Sequence, residues 1–480
     1  MTRPTPNIRH RSAVGLLSLV LAGCASLSAP PDERARPALQ APAAWQAPLP
    51  HNGQLTELAR WWAQFEDPLL SQLVSAAQDV SPTVASARSR IAQARSTLAG
   101  TQAALGPTLN AVGGASRGRQ DASMPVATNL FAGLQAQWEI DLFGTVAATR
   151  DAAAERLGGA AALWHDARVA VAAEVATQYT SLRACEAQVA QAGIDTRSRG
   201  ETARLTELAA RAGFQAPASA ALARASAAQG NSLLTQQRAL CDLGVKALVA
   251  MTGWDEPALR QRLGEGTARM PRPAQIMVRG VPAQLLAQRP DVEAAARELL
   301  AAGADITQTR TQRLPRITLG GSLGAARFSG AGASSDGSTW SIGPVSVTLP
   351  LFDGGAQSAR LVAAQARHTE ATALYGARLR TAVREVEDAL VNLQSSADRS
   401  GDARVATEGF TASLQATQAR YGAGLASLFE LEDARRSAVQ AQSALIDLQR
   451  ERVVAWIALY RALGGGWSVD SPTPDDSPKS

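Results

Sequence analysis

The sequence predicts an α+β membrane protein built from one unit used twice, each unit joining a transmembrane β-hairpin to a long antiparallel helical hairpin. Three observations lead there. Asp141-Leu142-Phe143-Gly144 and Leu351-Phe352-Asp353-Gly354 stand 210 positions apart, each closing an alternating stretch and opening an Ala-rich helix. A period that long is no solenoid repeat and marks a duplicated half-protein. The alternating stretches run to about thirteen residues, nearer a tilted membrane strand than the five or six of a typical soluble one. The helical runs, about Val146 to Ala210 and Ala356 to Arg420, would each reach roughly 100 Å at 1.5 Å per residue.

Taken in order, the chain opens on an address. Arg3, Arg9, His10 and Arg11 precede the apolar run Ala13–Ala22, which is too short to span a bilayer and has the shape of a signal-peptide core. Residues 1–23 are therefore read as a signal peptide. Residues 24–60, rich in Pro and Ala, read as an extended tether. The first repeat covers 61–254. Its Ser81-Pro82 sets a capping hydroxyl before a first-turn proline, and Val84, Ala87, Ile91, Ala94 and Leu98 follow at helical spacing. A hairpin is expected over 104–144. In it, Leu130, Ala132, Leu134, Ala136, Trp138, Ile140 and Leu142 alternate with the mostly polar Phe131, Gly133, Gln135, Gln137, Glu139 and Asp141. Its partner strand near Thr108–Ser116 alternates poorly and is assigned by symmetry with the second half.

A long helix, a turn near Gly213 and a shorter helix to Gly253 complete the unit. Residues 255–282 link it, in a small mixed equatorial region, to the second repeat at 283–467. There a hairpin is expected over 313–355, with a turn near Gly424 and a last helix ending at Gly464. Trp340 and Ile342 are out of phase with Val345, Val347 and Leu349, so a bulge is expected near Gly343-Pro344. Residues 468–480 read as a tail. Arg168, Glu174, Arg183, Glu385 and Glu387 exclude a membrane span for the long helices and leave antiparallel coiled-coil packing. Two hairpins give four strands, too few to close a barrel. An open sheet in lipid would leave backbone groups unpaired at several kcal/mol each, so several chains must share one barrel.

Composition excludes other classes. With 47 Lys and Arg against 42 Asp and Glu, the net charge is +5 on 480 residues. The charges are interspersed along helices, without the dense basic block that nucleic acid requires. The four His are His10, His51, His165 and His368; the last two sit on exposed-looking helices, and none has metal-ligand spacing. No nucleophile elbow or phosphate loop is present. Neither an enzyme nor a metal or other cofactor is expected.

Several segments together resemble the outer-membrane efflux duct family, the TolC/OprM-like proteins. These are Trp61-Trp62…Phe65…Asp67-Pro68-Leu69, Trp138 to Gly144, Val281-Pro282…Arg289-Pro290-Asp291-Val292, Pro350 to Gly355 and Leu459 to Trp467. The resemblance spans nearly all of 60–467. It implies a homotrimer whose twelve-stranded β-barrel, four strands per chain, continues as a long α-helical barrel. Its implied partners are a periplasmic adaptor, an inner-membrane RND-type pump and outer-membrane lipid. Leu21-Ala22-Gly23-Cys24 resembles the bacterial lipobox, which would make Cys24 an acylated mature N-terminus of the NodT-type branch, with Ala25 favouring outer-membrane sorting. An ordinary cleavage site with an incidental cysteine is the alternative.

The expected function is passive conduction of small molecules or drugs in a tripartite efflux system. The alternatives are a duct for type I protein secretion and a non-conducting structural lipoprotein, against which the polar face of 131–141 argues. The resemblance implies a closed periplasmic entrance lined by acidic residues beside Tyr421 and Gly424, here Glu430 and Asp433 at i and i+3. Ser427-Leu428-Phe429-Glu430 also fits a capping box, an alternative duty for Glu430. The first repeat has Ser219 and Leu222 at these places, so the second would supply any acidic ring. Cys185 and Cys241 each lie 28 residues from Gly213, which sets them level in an antiparallel hairpin. Either an envelope disulfide or two small thiols in a packing seam satisfies that spacing.

Overall fold

Alternation and capping decide where each element begins. The computed structural model describes residues 45–47, 62, 65, 67–119, 125–271, 286, 289–330 and 332–467. Cys24, the signal peptide, nearly all of the tether, residues 272–285 of the linker and start of the second repeat, and the tail lie outside the described residues. The order is α1 (Pro68–Val80), α2 (Pro82–Ala103), β1 (Thr108–Gly118), β2 (Ala127–Ile140), α3 (Thr145–Arg211), α4 (Pro217–Thr252) and α5 (Glu256–Gly264). It continues with α6 (Pro290–Thr311), β3 (Arg316–Gly330), β4 (Ala333–Thr348), α7 (Ala356–Gly422), α8 (Leu428–Ala462) and a 3₁₀ turn at Gly464–Gly466. In the described part of the expected mixed equatorial region, residues 255–271, the regular element is α5, followed by turn and irregular chain. Among the described residues no helix is long and apolar enough to cross a membrane.

The chain divides into two compact units. One holds Ser96–Arg156 and Arg297–Thr372. Its centre is an antiparallel sheet in the order β1-β2-β3-β4. The register aligns side-chain faces across all four strands. Ala111 pairs with Leu134, Leu134 with Leu323 and Leu323 with Trp340. Leu109, Ala136 and Gly321 lie on the same face, as do Trp138, Leu319 and Val345. The opposite face carries Asn110, Gln135, Ser322 and Ser341, then Glu139, Thr318 and Ser346.

The expected bulge has a clear physical purpose. Leu319 pairs with Val345 but Gly321 pairs with Ile342, so Gly343 and Pro344 together oppose Gly320. The extra residue returns Trp340 and Ile342 to the face of Val345 and Val347. Without it the strand would change sides midway. At mid-sheet, β2 and β3 approach too closely for any side chain on the polar face. A Cβ at Gly133 would stand 2.6 Å from the Leu323 carbonyl oxygen, and one at Gly324 would stand 2.5 Å from that of Ala132.

The duplicated motifs after β2 and β4 are helix caps. Asp141 Oδ2 accepts from the Ala147 amide at 2.7 Å. Asp353 accepts from the Gly355 and Gln357 amides at 2.9 and 2.7 Å. Each cap opens a helix of 67 residues.

The other unit holds Leu157–Ala296 and Ala373–Ser480, with residues from Leu39 to Arg95. Both of its long hairpins reverse in the same way. Phe214 N donates to Ala209 O at 2.9 Å after Gly213, and Leu425 N donates to Arg420 O at 2.8 Å after Gly424. These bonds close a Schellman cap, which needs a left-handed residue; Gly213 has φ 79° and Gly424 has φ 76°. Each half also buries an arginine that satisfies the end of a helix. Arg183 donates to Leu263 O at 2.9 Å and Arg289 to Ala462 O at 2.9 Å.

His165 departs from the exposed position expected of it. It packs beside Trp164 and Trp467, with its Nε2 buried. Burial, reinforced by the Arg168 charge, lowers its pKa to about 4, so the imidazole is neutral at physiological pH. Trp467, which folds back onto Ala162 and Ala294, is what covers it.

Candidate functional site

The tip of the second helical hairpin begins with the Gly424 turn and the start of α8. Ser427 Oγ accepts from the Glu430 amide at 3.1 Å, and Glu430 Oε2 accepts from the Ser427 amide at 2.6 Å. This is a complete capping box. The amide of Ser427 holds the Glu430 carboxyl below the usual glutamate value, with further help from the Ser427 hydroxyl. Its capping contribution is therefore full above the unfolded value near 4.5. That contribution fades as the pH falls through the lowered one. Arg420 lies 3.8 Å from Glu430 and donates to Leu425 O at 3.0 Å.

Asp433 stands one turn on and is 62 % exposed, its contact a loose pair with Arg436 at 3.7 Å. Phe429 is 72 % and Leu425 70 % exposed beside it. Tyr421 turns the other way. Its hydroxyl meets the Thr206 hydroxyl of α3 at 2.8 Å. Leu428 is buried with Ala203, Ala223 and Leu431. Successive helical residues are set about 100° apart, so Leu428 and Phe429 cannot share that surface.

Sequence reasoning missed what lies beneath Asp433. Glu432 and Arg435 point inward, where Asp195 and Arg199 of α3 meet them. Arg199 Nε donates to Asp195 Oδ2 at 2.7 Å, and its Nη1 donates to Glu432 Oε2 at 3.0 Å and to Ser226 Oγ at 2.7 Å. Ser226 in turn donates to Glu432 at 2.7 Å. Arg435, 1 % exposed, pairs with Glu432 and donates to Ser198 Oγ and Thr202 Oγ1 at 3.0 and 3.1 Å. Its Nε lies 3.8 Å from Asp195. Burial pulls the Arg435 guanidinium below its usual pKa, against the attraction of Glu432 and Asp195. Two acids and two bases cancel, which is the condition for burying charge at tolerable cost. The quartet ties α8 and α4 to α3, and α8 thus has a fixed buried side and an exposed acidic side. The signal in the sequence was only local, an Asp-Arg pair at i,i+4 and a Glu-Arg pair at i,i+3.

Cys185 of α3 and Cys241 of α4 are bonded, with Cα atoms 5.6 Å apart. The bond closes a loop with a separation of 56 residues, worth about 4 kcal/mol on loop entropy alone. Reduction of purified protein is expected to slow its migration on denaturing gels, and peptide mass spectrometry without reductant should recover the cross-linked pair. Two alkylated thiols would instead leave only the packing seam.

The profile of the family described as "Outer membrane efflux protein" matches residues 73–253 and 281–465. The chain is 32 % identical over 466 residues to outer membrane protein OprJ of Pseudomonas aeruginosa, covering 94 % of this chain and 95 % of that protein. It is 32 % identical over 478 residues to the pyoverdine export outer membrane protein OpmQ of Pseudomonas putida, covering 95 % and 97 %. Among solved structures, the outer-membrane channel OprN superposes with a TM-score of 0.79 at 26 % identity, over 90 % of this chain and 99 % of that one. VceC of Vibrio cholerae gives 0.73 at 25 % identity, over 85 % and 99 %.

Proposed function

Because this chain belongs to the outer membrane efflux protein family and so resides in the outer membrane, we propose that it is the passive exit duct of a tripartite efflux system. Three copies would share one twelve-stranded barrel. The sheet carries this reading. It is four-stranded, with β1 and β4 as its edges, and one face is apolar while the other is polar. Such a sheet is satisfied in a bilayer only when further strands close it. Since β1 and β4 run antiparallel through the intervening strands, copies can join edge to edge without changing the antiparallel pattern. OpmQ, a pyoverdine export outer membrane protein by name, supports a small molecule as cargo; a periplasmic adaptor and an inner-membrane RND-type pump would be the partners.

On this reading the tip of α8 is the periplasmic gate. Glu430 is chiefly a cap. Asp433, exposed and loosely paired, supplies an acidic ring in the assembled duct, with Tyr421 and Gly424 shaping the turn. Like charges brought together around an axis attract cations and resist closure without them. Asp433→Ala is expected to raise single-channel conductance of the purified protein in planar bilayers and to weaken block by divalent and trivalent cations. Unchanged conductance and block would remove the ring, and absence of any channel would remove the duct. Separately, Cys24→Ser should abolish incorporation of labelled palmitate. Retained label would refute acylation at the lipobox.

A further inference from the structure

The apolar face of the sheet ends in arginine at the hairpin-tip side. Arg327 on β3 pairs with Leu130 of β2, and Leu130 pairs with Ala115 of β1, so Arg327 projects on the apolar face. Arg117 lies two residues beyond Ala115 on β1 and pairs with Thr128, which places it on the same face one step further out. Both side chains are exposed, and neither guanidinium makes an ion pair with another described residue. Asp336 opposes Arg327 on β4, which leaves two guanidinium groups against one carboxylate.

Depth identifies what they meet. On this face no charged residue intervenes between the row of Ile140, Ile317 and Val347 and the row of Leu130 and Arg327. Those rows are ten residues apart along β2, about 33 Å of strand, or about 25 Å along the membrane normal at the usual tilt. That is the full height of a barrel's apolar band, so Arg327 stands where hydrocarbon gives way to headgroups. The helices α2, α3, α6 and α7 connect to the other end of the strands, so the hairpin tips face the outer leaflet. The outer leaflet of such a membrane is a glycolipid whose disaccharide head carries phosphates. Arginine suits phosphate through its planar fork of donors. From the register, Arg117 and Arg327 are two strands and one pleat apart, about 12 Å, a separation suited to phosphates at the two ends of one disaccharide.

We propose that Arg117 and Arg327 form a binding site for the phosphorylated disaccharide head of the outer-leaflet glycolipid, on the outside of the barrel. The proposal rests on the duct reading, which sets the apolar face toward lipid. The test uses the purified full-length protein, with lipid retention read by native mass spectrometry. Lipid A is expected to be retained at least tenfold better than its dephosphorylated form, and Arg117→Gln with Arg327→Gln should erase that preference. Phosphatidylglycerol should show no arginine-dependent retention, and free inorganic phosphate should not displace lipid A. Equal retention of the two lipid A forms by the unaltered protein would overturn the site, even if the double variant fails to fold. Preference that survives the double substitution, arginine-dependent capture of phosphatidylglycerol, or displacement by inorganic phosphate would overturn it too. Failure of the barrel reading is separable, because Leu134→Arg and Gln135→Arg would then insert equally well.

Discussion

Leu134→Arg is expected to remove nearly all of the protein from outer-membrane fractions, while Gln135→Arg leaves its yield close to that of the unaltered chain. The two residues are neighbours on β2 with opposite faces. Leu134 shares its row with Ala111, Leu323 and Trp340, near the middle of the apolar face. Gln135 shares its row with Asn110 and Ser322. A lipid-facing arginine at mid-depth costs about 2–4 kcal/mol, roughly 30- to 1000-fold in an equilibrium constant. In a shared barrel every copy bears that cost. Leu323→Arg tests the same row from the adjacent strand and should match Leu134→Arg. Equal yields for Leu134→Arg and Gln135→Arg, measured by immunoblot of separated membranes, would refute the lipid-facing row and with it the barrel reading, whereas a reversed order would show that the faces are assigned the wrong way round.

The legibility of the sheet came from its period of two. Wherever one face must be apolar, alternation fixes which residues share it, and a break in phase demands an extra residue. Trp340 and Ile342 therefore pointed to the bulge at Gly343-Pro344 without any structure. β1 was opaque for the converse reason. Gly113, Gly114 and Ala115 are small, so its polarity scarcely alternates, and the pairing of Leu109 and Ala111 with Ala136 and Leu134 reveals its phase. At the tip, the capping box was readable because its partners are three residues apart. The charged quartet was not, because Arg199 and Glu432 are 233 positions apart and Ser198 and Arg435 are 237 apart. His165 was misread for a similar reason: nothing near it announces that Trp467 will cover it.

Arg435→Ala is expected to be the most damaging single change in the helical unit. It would leave Asp195 and Glu432 buried with Arg199 as their remaining cation, and it would strip Ser198 and Thr202 of a donor. Removing one member of a buried, hydrogen-bonded ion pair typically costs about 3–5 kcal/mol, far more than loss of an exposed pair such as Asp433–Arg436. Thermal or denaturant unfolding followed through the helical signal should register the difference, with Arg435→Ala well below Asp433→Ala. Glu432→Ala combined with Arg435→Ala should cost less than the two separate losses added, because the carboxylate stranded by one change is removed by the other. Additive losses would mean that the two side chains act independently, contrary to their geometry. The same substitution links packing to function. Arg435 fixes the buried side of α8, and that fixes where Asp433 points on the exposed side. If Asp433 lines the gate, Arg435→Ala should therefore also weaken cation block in planar bilayers, at temperatures where the protein remains folded. Normal block in a measurably destabilised Arg435→Ala protein would separate the two faces of α8 and confine the quartet to holding the hairpins together.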